Sequence, residues 1–273
     1  MRSSYIPLII GSILFLSCKK PPEPPPAGHN TVKHVLLKDI TIPNLPSPYY
    51  HFQYNADSLI TKAAFSSDFT LYDVFYSANR ITEMRNNIFA NQDTLRYTYD
   101  NTGKVAVIRF INSNNVVYRH VSFLYDGNQV KEIEWDHKEG SIGFLIDRTL
   151  RFSYYSDGNV KTITERRPAI DNGPEYNSVK TFEAYDDMVN VDDFSLIHDG
   201  IHDHLFLLQG SRLQKNNPKK EMLSANGVNI YIIDYTYTYN NDNTPSKKTG
   251  DLLYLSGQYA GQRFQTNSFF TYY

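Results

Sequence analysis

The stretches LRYTYDNTGKVAVI (residues 95–108), VSFLYDGNQVKEI (121–133) and LRFSYYSDGNVKTI (150–163) state one pattern three times. Each is an aromatic-rich run ending in Tyr, then a tight turn of Asp, Asn and Gly. A second run follows that opens with Val and carries Ile three residues later. Flanks such as Arg96-Tyr97-Thr98-Tyr99 alternate polar and aromatic residues, the period of a strand and not of a helix. Gly103, Gly127 and Gly158 supply the positive φ a tight hairpin turn needs, and the Asn or Asp beside each tolerates it. The unit is therefore a β-hairpin.

The pattern spreads outward from there. Anchored on Tyr54, Tyr76, Tyr99, Tyr125, Tyr154 and Tyr185, the successive spacings are 22, 23, 26, 29 and 31 residues. Tyr54 is followed by Leu59, Tyr76 by Ile81 and Met84, and Tyr125 by Val130 and Ile133; with one extra loop residue, Tyr99 is followed by Val105 and Ile108, and Tyr154 by Val160 and Ile163. Self-similarity at this period marks a repeat architecture. The predicted fold is all-β, a long antiparallel meander of hairpin repeats in a strongly curled or barrel-like sheet, with polar residues on alternate positions wetting one face, or both faces in places. Residues 32–42, VKHVLLKDITI, read as a first strand pair, residues 228–239 as the clearest strand, and the final FFTYY as part of the last strands. Between Phe182 and Leu213 the repeat breaks. Phe194, Leu196, Ile197, Ile201, Leu205 and Leu208 fit a helical stripe, which predicts an irregular or short helical insertion near 186–208, plugging one end of the sheet.

Composition bounds the partners. Twenty-seven basic against 29 acidic residues leave a net charge of -2, which offers no field for a polyanion, so nucleic acid is not expected. With a single Cys an internal disulfide is excluded. That Cys stands behind Arg2, an apolar run from Ile6 to Leu16, and Ser17, the layout of a secretory signal too short to span a bilayer. The expected division is a signal over 1–17, Cys18 with a Pro-rich tether over 18–30, and a single β-repeat domain over 31–273.

Phe15-Leu16-Ser17-Cys18 resembles a bacterial lipobox, which implies lipid on Cys18 and attachment to a membrane. The hairpins, with Tyr99-Asp100, Tyr125-Asp126 and Tyr185-Asp186, resemble YD-type repeats of bacterial surface and toxin-shell proteins. The whole chain resembles a family of Bacteroidota lipoproteins of unknown function. The late segments carrying that likeness are Tyr185-Asp186-Asp187-Met188-Val189-Asn190 and Lys215-Asn216-Asn217-Pro218; Val191-Asp192 stands where the family has Pro-Phe. The resemblance implies an outer-membrane lipoprotein on the periplasmic or cell-surface side, and no assigned activity. An aromatic C-terminus also occurs in outer-membrane barrels, but a mean hydropathy of -0.47 argues against strands that face lipid.

Two clusters are candidates for chemistry. His198, Asp199, His202, Asp203 and His204 are the candidate metal ligands, with His198 and His202 on one face of a helix at i,i+4; the competing reading is a solvated polar loop. Tyr235, Tyr237 and Tyr239 are candidates for a sugar or peptide platform, against cross-strand packing that the repeat itself requires. There is no Gly-rich phosphate loop, no Gly-x-Ser-x-Gly elbow and no Cys besides Cys18, so no catalytic residue is singled out and no cofactor is called for. The reading is a lipid-anchored envelope protein that binds or scaffolds, with an envelope protein or polysaccharide as partner. The alternative is an enzyme acting on envelope glycans or peptides through the Asp/His insertion.

Overall fold

The computed structural model describes residues 35–88, 92–169, 173–198 and 202–273. Cys18, the tether and Asp199 lie outside these residues, as do the side chains of His202 and Asp203. Among the described residues sixteen strands follow one another: β1 (Leu37–Thr41), β2 (Tyr50–Tyr54), β3 (Ile60–Phe65), β4 (Thr70–Ser77), β5 (Arg80–Asn86), β6 (Thr94–Tyr99), β7 (Val105–Ile111), β8 (Val117–Asp126), β9 (Gln129–Glu139), β10 (Gly143–Tyr154), β11 (Val160–Arg167), β12 (Tyr176–Tyr185), β13 (Pro218–Ala225), β14 (Val228–Tyr239), β15 (Pro245–Tyr254) and β16 (Arg263–Tyr272). Each pairs antiparallel with its chain neighbours. β1 also pairs with β16, Ile40 opposite Phe270, so the meander closes into a barrel. The stretch expected as a first strand pair holds, from residue 35 on, one strand, β1, because its two hydrogen-bonding edges are taken by β2 and by the end of the chain.

A repeated bulge explains the spacing of three. Tyr54 stands opposite Ile60, Tyr76 opposite Ile81, Tyr99 opposite Val105, Tyr125 opposite Val130, Tyr154 opposite Val160 and Tyr239 opposite Pro245; beyond each pair the second strand gains one residue. In a regular strand residues three apart face opposite sides. The extra residue returns Ile108, Ile133 and Ile163 to the side of Val105, Val130 and Val160, and all six are buried.

The recurring Tyr has its own role at this end. Between neighbouring hairpins the backbone ladder stops early: its last pair between β7 and β8 is Val107 with Ser122, and the carbonyl of Val105 instead receives the Tyr125 phenol at 2.9 Å. The same closure recurs in every hairpin. Tyr54 donates to Leu37 (2.9 Å), Tyr76 to Ile60 (2.8 Å), Tyr99 to Ile81 (2.7 Å), Tyr154 to Val130 (2.7 Å), Tyr185 to Val160 (2.6 Å), Tyr237 to Pro218 (3.0 Å) and Tyr272 to Pro245 (2.6 Å). One hydroxyl per hairpin thus satisfies a carbonyl the ladder leaves over, which is why the sequence repeats Tyr rather than Phe. Burial raises these phenols, to about 12 for Tyr54, Tyr76, Tyr99 and Tyr125.

The two faces differ, although Phe75, Leu124 and Val179 stand exposed on the outer one. Inward positions carry Ile81, Met84, Leu95, Ile108, Phe110, Val121, Ile133, Trp135 and Leu150, all buried. Outward positions carry charge in cross-strand register: Lys62 beside Asp73, Asp73 beside Arg85, Glu83 beside Arg96, Arg96 beside Arg109, Glu132 beside Arg151, and Lys220 beside both Glu183 and Asp234. Barrels of sixteen strands are wide enough to leave a channel. Here the lumen is filled, by inward side chains and by the segment between β12 and β13.

Candidate functional site

The segment between β12 and β13 leaves and re-enters the barrel wall through a clamp of short polar side chains. Asn217 N donates to Asp186 Oδ1 at 3.2 Å, Asn190 Nδ2 to Asn217 Oδ1 at 3.1 Å, and Asn216 Nδ2 to the Met188 carbonyl at 2.8 Å. Asn159, in the β10–β11 turn, accepts from Asn216 N at 2.8 Å. The YDDMVN and KNNP segments are therefore the two legs of one neck. Asp186 also accepts the Tyr239 phenol, so Tyr239 serves the neck and Tyr237 takes its place in the ring of phenols.

Beyond the neck the segment enters the lumen as two 3-10 turns, Asp193–Ile197 and His202–Leu205, the irregular or short helical insertion expected where the repeat breaks. Phe194 packs edge-on against Tyr50 and Phe52, and Phe206 against Phe123. Leu207 N donates to Tyr97 Oη at 3.0 Å, and Gln209 bridges Ile81 N and the Asn79 carbonyl. Asp193 accepts from Leu213 N at 2.8 Å, tying the two legs together, and Lys248 lies 3.5 Å from Asp192. Burial raises both carboxyls above their ordinary range. These carboxylates hold the plug in place.

The candidate metal ligands do not share a helical face. His198 has extended backbone (φ -62°, ψ 131°) after the first turn, which takes it off any helical register with His202. Instead it meets His204: their Nδ1 atoms are 3.1 Å apart, and His204 Nε2 is 3.1 Å from Tyr50 Oη. Both rings pack edge-on against Phe65. Among the described residues no group of three or more His, Cys, Asp or Glu side chains could hold a metal ion. Tyr235, Tyr237 and Tyr239 face the lumen rather than an exposed platform. The phenols of Tyr231 and Tyr235 each donate to Glu221 at 2.9 Å, and burial raises both.

The lumen is not uniformly apolar. Against the plug, β10 to β14 border a partly open cavity of about 190 Å³ lined by Arg148, Leu150, Ile163, Glu165, Tyr176, Ser178, Lys180, Leu196, His198, Leu223 and Tyr231. Arg148 stacks 4.7 Å from the Trp135 ring centre, donates to Glu165 at 2.9 Å and reaches the Ile197 carbonyl of the plug at 3.3 Å. Arg167 also meets Glu165. Lys180 lies 3.7 Å from Glu221. Reading by motif passed over these residues. Strand parity could have found them: Arg148 is two before Leu150, Glu165 two after Ile163, and Lys180 two before Phe182, so each must face inward with its apolar neighbour.

The chain folds like a porin-like protein from Bacteroides uniformis. The TM-score is 0.59 at 12% identity, covering 82% of this chain and 89% of that one. Two toxin structures align over shorter shares of their own length: a TcdB2–TccC3 complex (TM-score 0.29, 14% identity, 80% of this chain and 12% of that one) and the Photorhabdus luminescens Tc holotoxin pore (0.31, 16%, 75% and 11%). No family model matches the chain, and no curated protein matches it. At such identity the first likeness is one of fold. An Arg or Lys turned to lipid at mid-bilayer costs about 2–4 kcal/mol, and Arg96, Arg109 and Arg151 stand outward within their strands.

Proposed function

We propose that the protein is a lipid-anchored barrel of the cell envelope that binds or scaffolds, and not a channel. A barrel fold like that of a porin-like protein is compatible with an outer-membrane or envelope location. The observation that carries the reading is the charge in register around the outer wall together with the filled lumen. A wall of this kind is stable in water, so attachment falls to the lipid on Cys18 and the Pro-rich tether. Plug carboxylates engaged in holding the neck and the two legs favour binding over catalysis by the Asp/His insertion.

The test is fractionation of cells that make the wild type or Cys18→Ser. On this reading the wild type pellets with membranes and resists carbonate washing, whereas the variant is soluble and folded. A Cys18→Ser protein that resists the same wash would place the strands themselves in the bilayer and overturn the proposal.

A further inference from the structure

The cavity beside the plug has the size and chemistry of a small-ligand site. An engineered cavity of about 150 Å³ takes up benzene, so one of about 190 Å³ has room for a single six-membered ring with substituents. Its walls exclude a plainly apolar ring. Arg148, Glu165, Tyr176, Ser178, Lys180 and Tyr231 all line it, and an apolar occupant would strip water from them without replacing a hydrogen bond. The wall supplies both donors and an acceptor, and Leu150 and Ile163 add apolar contact. That combination suits a ring that is hydroxylated at its rim and carbon-hydrogen on its face.

The position of Lys180 narrows the class. It lines the cavity, and among the described residues it stands beside Glu221. Arg148 and Arg167 both engage Glu165. Glu221 receives the phenols of Tyr231 and Tyr235 at 2.9 Å each, and Lys180 stands off at 3.7 Å. With Glu221 already served by two neutral donors, the Lys180 ammonium keeps donors for a second anion. We propose that the cavity binds one sugar ring bearing a carboxylate, a uronic acid residue, with the carboxylate on Lys180 and the hydroxyls on Ser178, Tyr231 and Glu165. This deepens the binding half of the function proposed above. It does not depend on where the protein is anchored.

Full-length protein titrated calorimetrically with sodium glucuronate at low ionic strength is expected to bind at one site. Glucose and sodium benzoate are expected to bind at least about tenfold more weakly, the first for want of the charge and the second for want of the hydroxyls. Lys180→Met is expected to weaken glucuronate about tenfold or more, the loss of one charge-assisted contact. Ser178→Val, which places a branched side chain in the cavity wall, reads the same site should Lys180→Met fail to fold. Glucose binding as tightly as glucuronate would overturn the charge assignment, and benzoate doing so would overturn the sugar. No heat of binding with glucuronate, or binding untouched by either variant, would overturn the site while leaving the Cys18 fractionation result standing.

Discussion

Replacing Tyr125 by Phe removes one hydroxyl from the ring of phenols and leaves the aromatic body in place. That hydroxyl donates to the Val105 carbonyl at 2.9 Å, beyond the last backbone pair of β7 with β8. Two terms follow. The net value of the bond is about 0.5–1.5 kcal/mol. If the carbonyl is then shut away from water, leaving it unmade brings the cost toward about 1–3 kcal/mol. Tyr125 is partly buried, so a value near the join of these ranges, about 1–2 kcal/mol, is expected. For a domain of this size each kcal/mol moves Tm by about 2–4 °C, giving a fall of about 2–8 °C. Differential scanning calorimetry of Tyr125→Phe beside Tyr259→Phe supplies the contrast, since Tyr259 is 45% exposed. The fall should appear in the first and be under about 1 °C in the second. Equal, negligible shifts in both would refute the claim that the repeated Tyr exists to satisfy the carbonyl beside each bulge.

Alkali should unfold the barrel between pH 10 and about 12. Tyr54, Tyr76, Tyr99 and Tyr125 are raised from 10.0 to about 12 in the fold, so their stabilisation is complete below pH 10 and is lost as pH climbs toward 12. Phenolate absorbance should then rise together with loss of circular dichroism, and a gradual rise with the dichroism intact would contradict it. Asp193→Asn keeps an acceptor for Leu213 N and removes a carboxyl that burial raises. The wild type loses the stabilisation from that proton as pH rises above about 4, so the variant should gain on it from pH 4 to 7 in urea melts, and a constant gap would count against burial of the charge. Gly250→Val should cost at least about 1–3 kcal/mol, because a Cβ there comes 2.7 Å from Thr266 Oγ1 and 3.1 Å from Tyr235 Cε1; unchanged thermal stability would mean the lumen is slack.

Much of the fold was legible because it is written locally. The Tyr, the turn and the two apolar residues three apart lie within one hairpin, and their spacing is the bulge. The alternation over residues 228–239 likewise divided β14 into two sets of side chains, one for each face of the wall. Closure was not local. β1 meets β16 across almost the whole chain, and nothing in Leu37–Thr41 names that partner. The insertion was legible from the failure of the repeat, and its apolar residues serve two short turns in the lumen, since Phe194, Ile197, Leu205 and Phe206 contact or join the core on several sides. Tyr235 and Tyr237 looked like a platform because sequence carries parity but not which parity is the outside. The inward charges Arg148, Glu165 and Lys180 belong to no motif; their one signal is that each stands two residues from an apolar neighbour on its own strand.

The central claim is that the outer wall of this barrel meets water. Spin labels placed singly at Thr98, Thr164 and Thr236, on outward positions of β6, β11 and β14, test it in the full-length protein bound to vesicles. The account predicts that all three are relaxed far more strongly by a water-soluble nickel chelate than by oxygen. Labels that oxygen relaxes more strongly than the chelate would place the wall in lipid and contradict it.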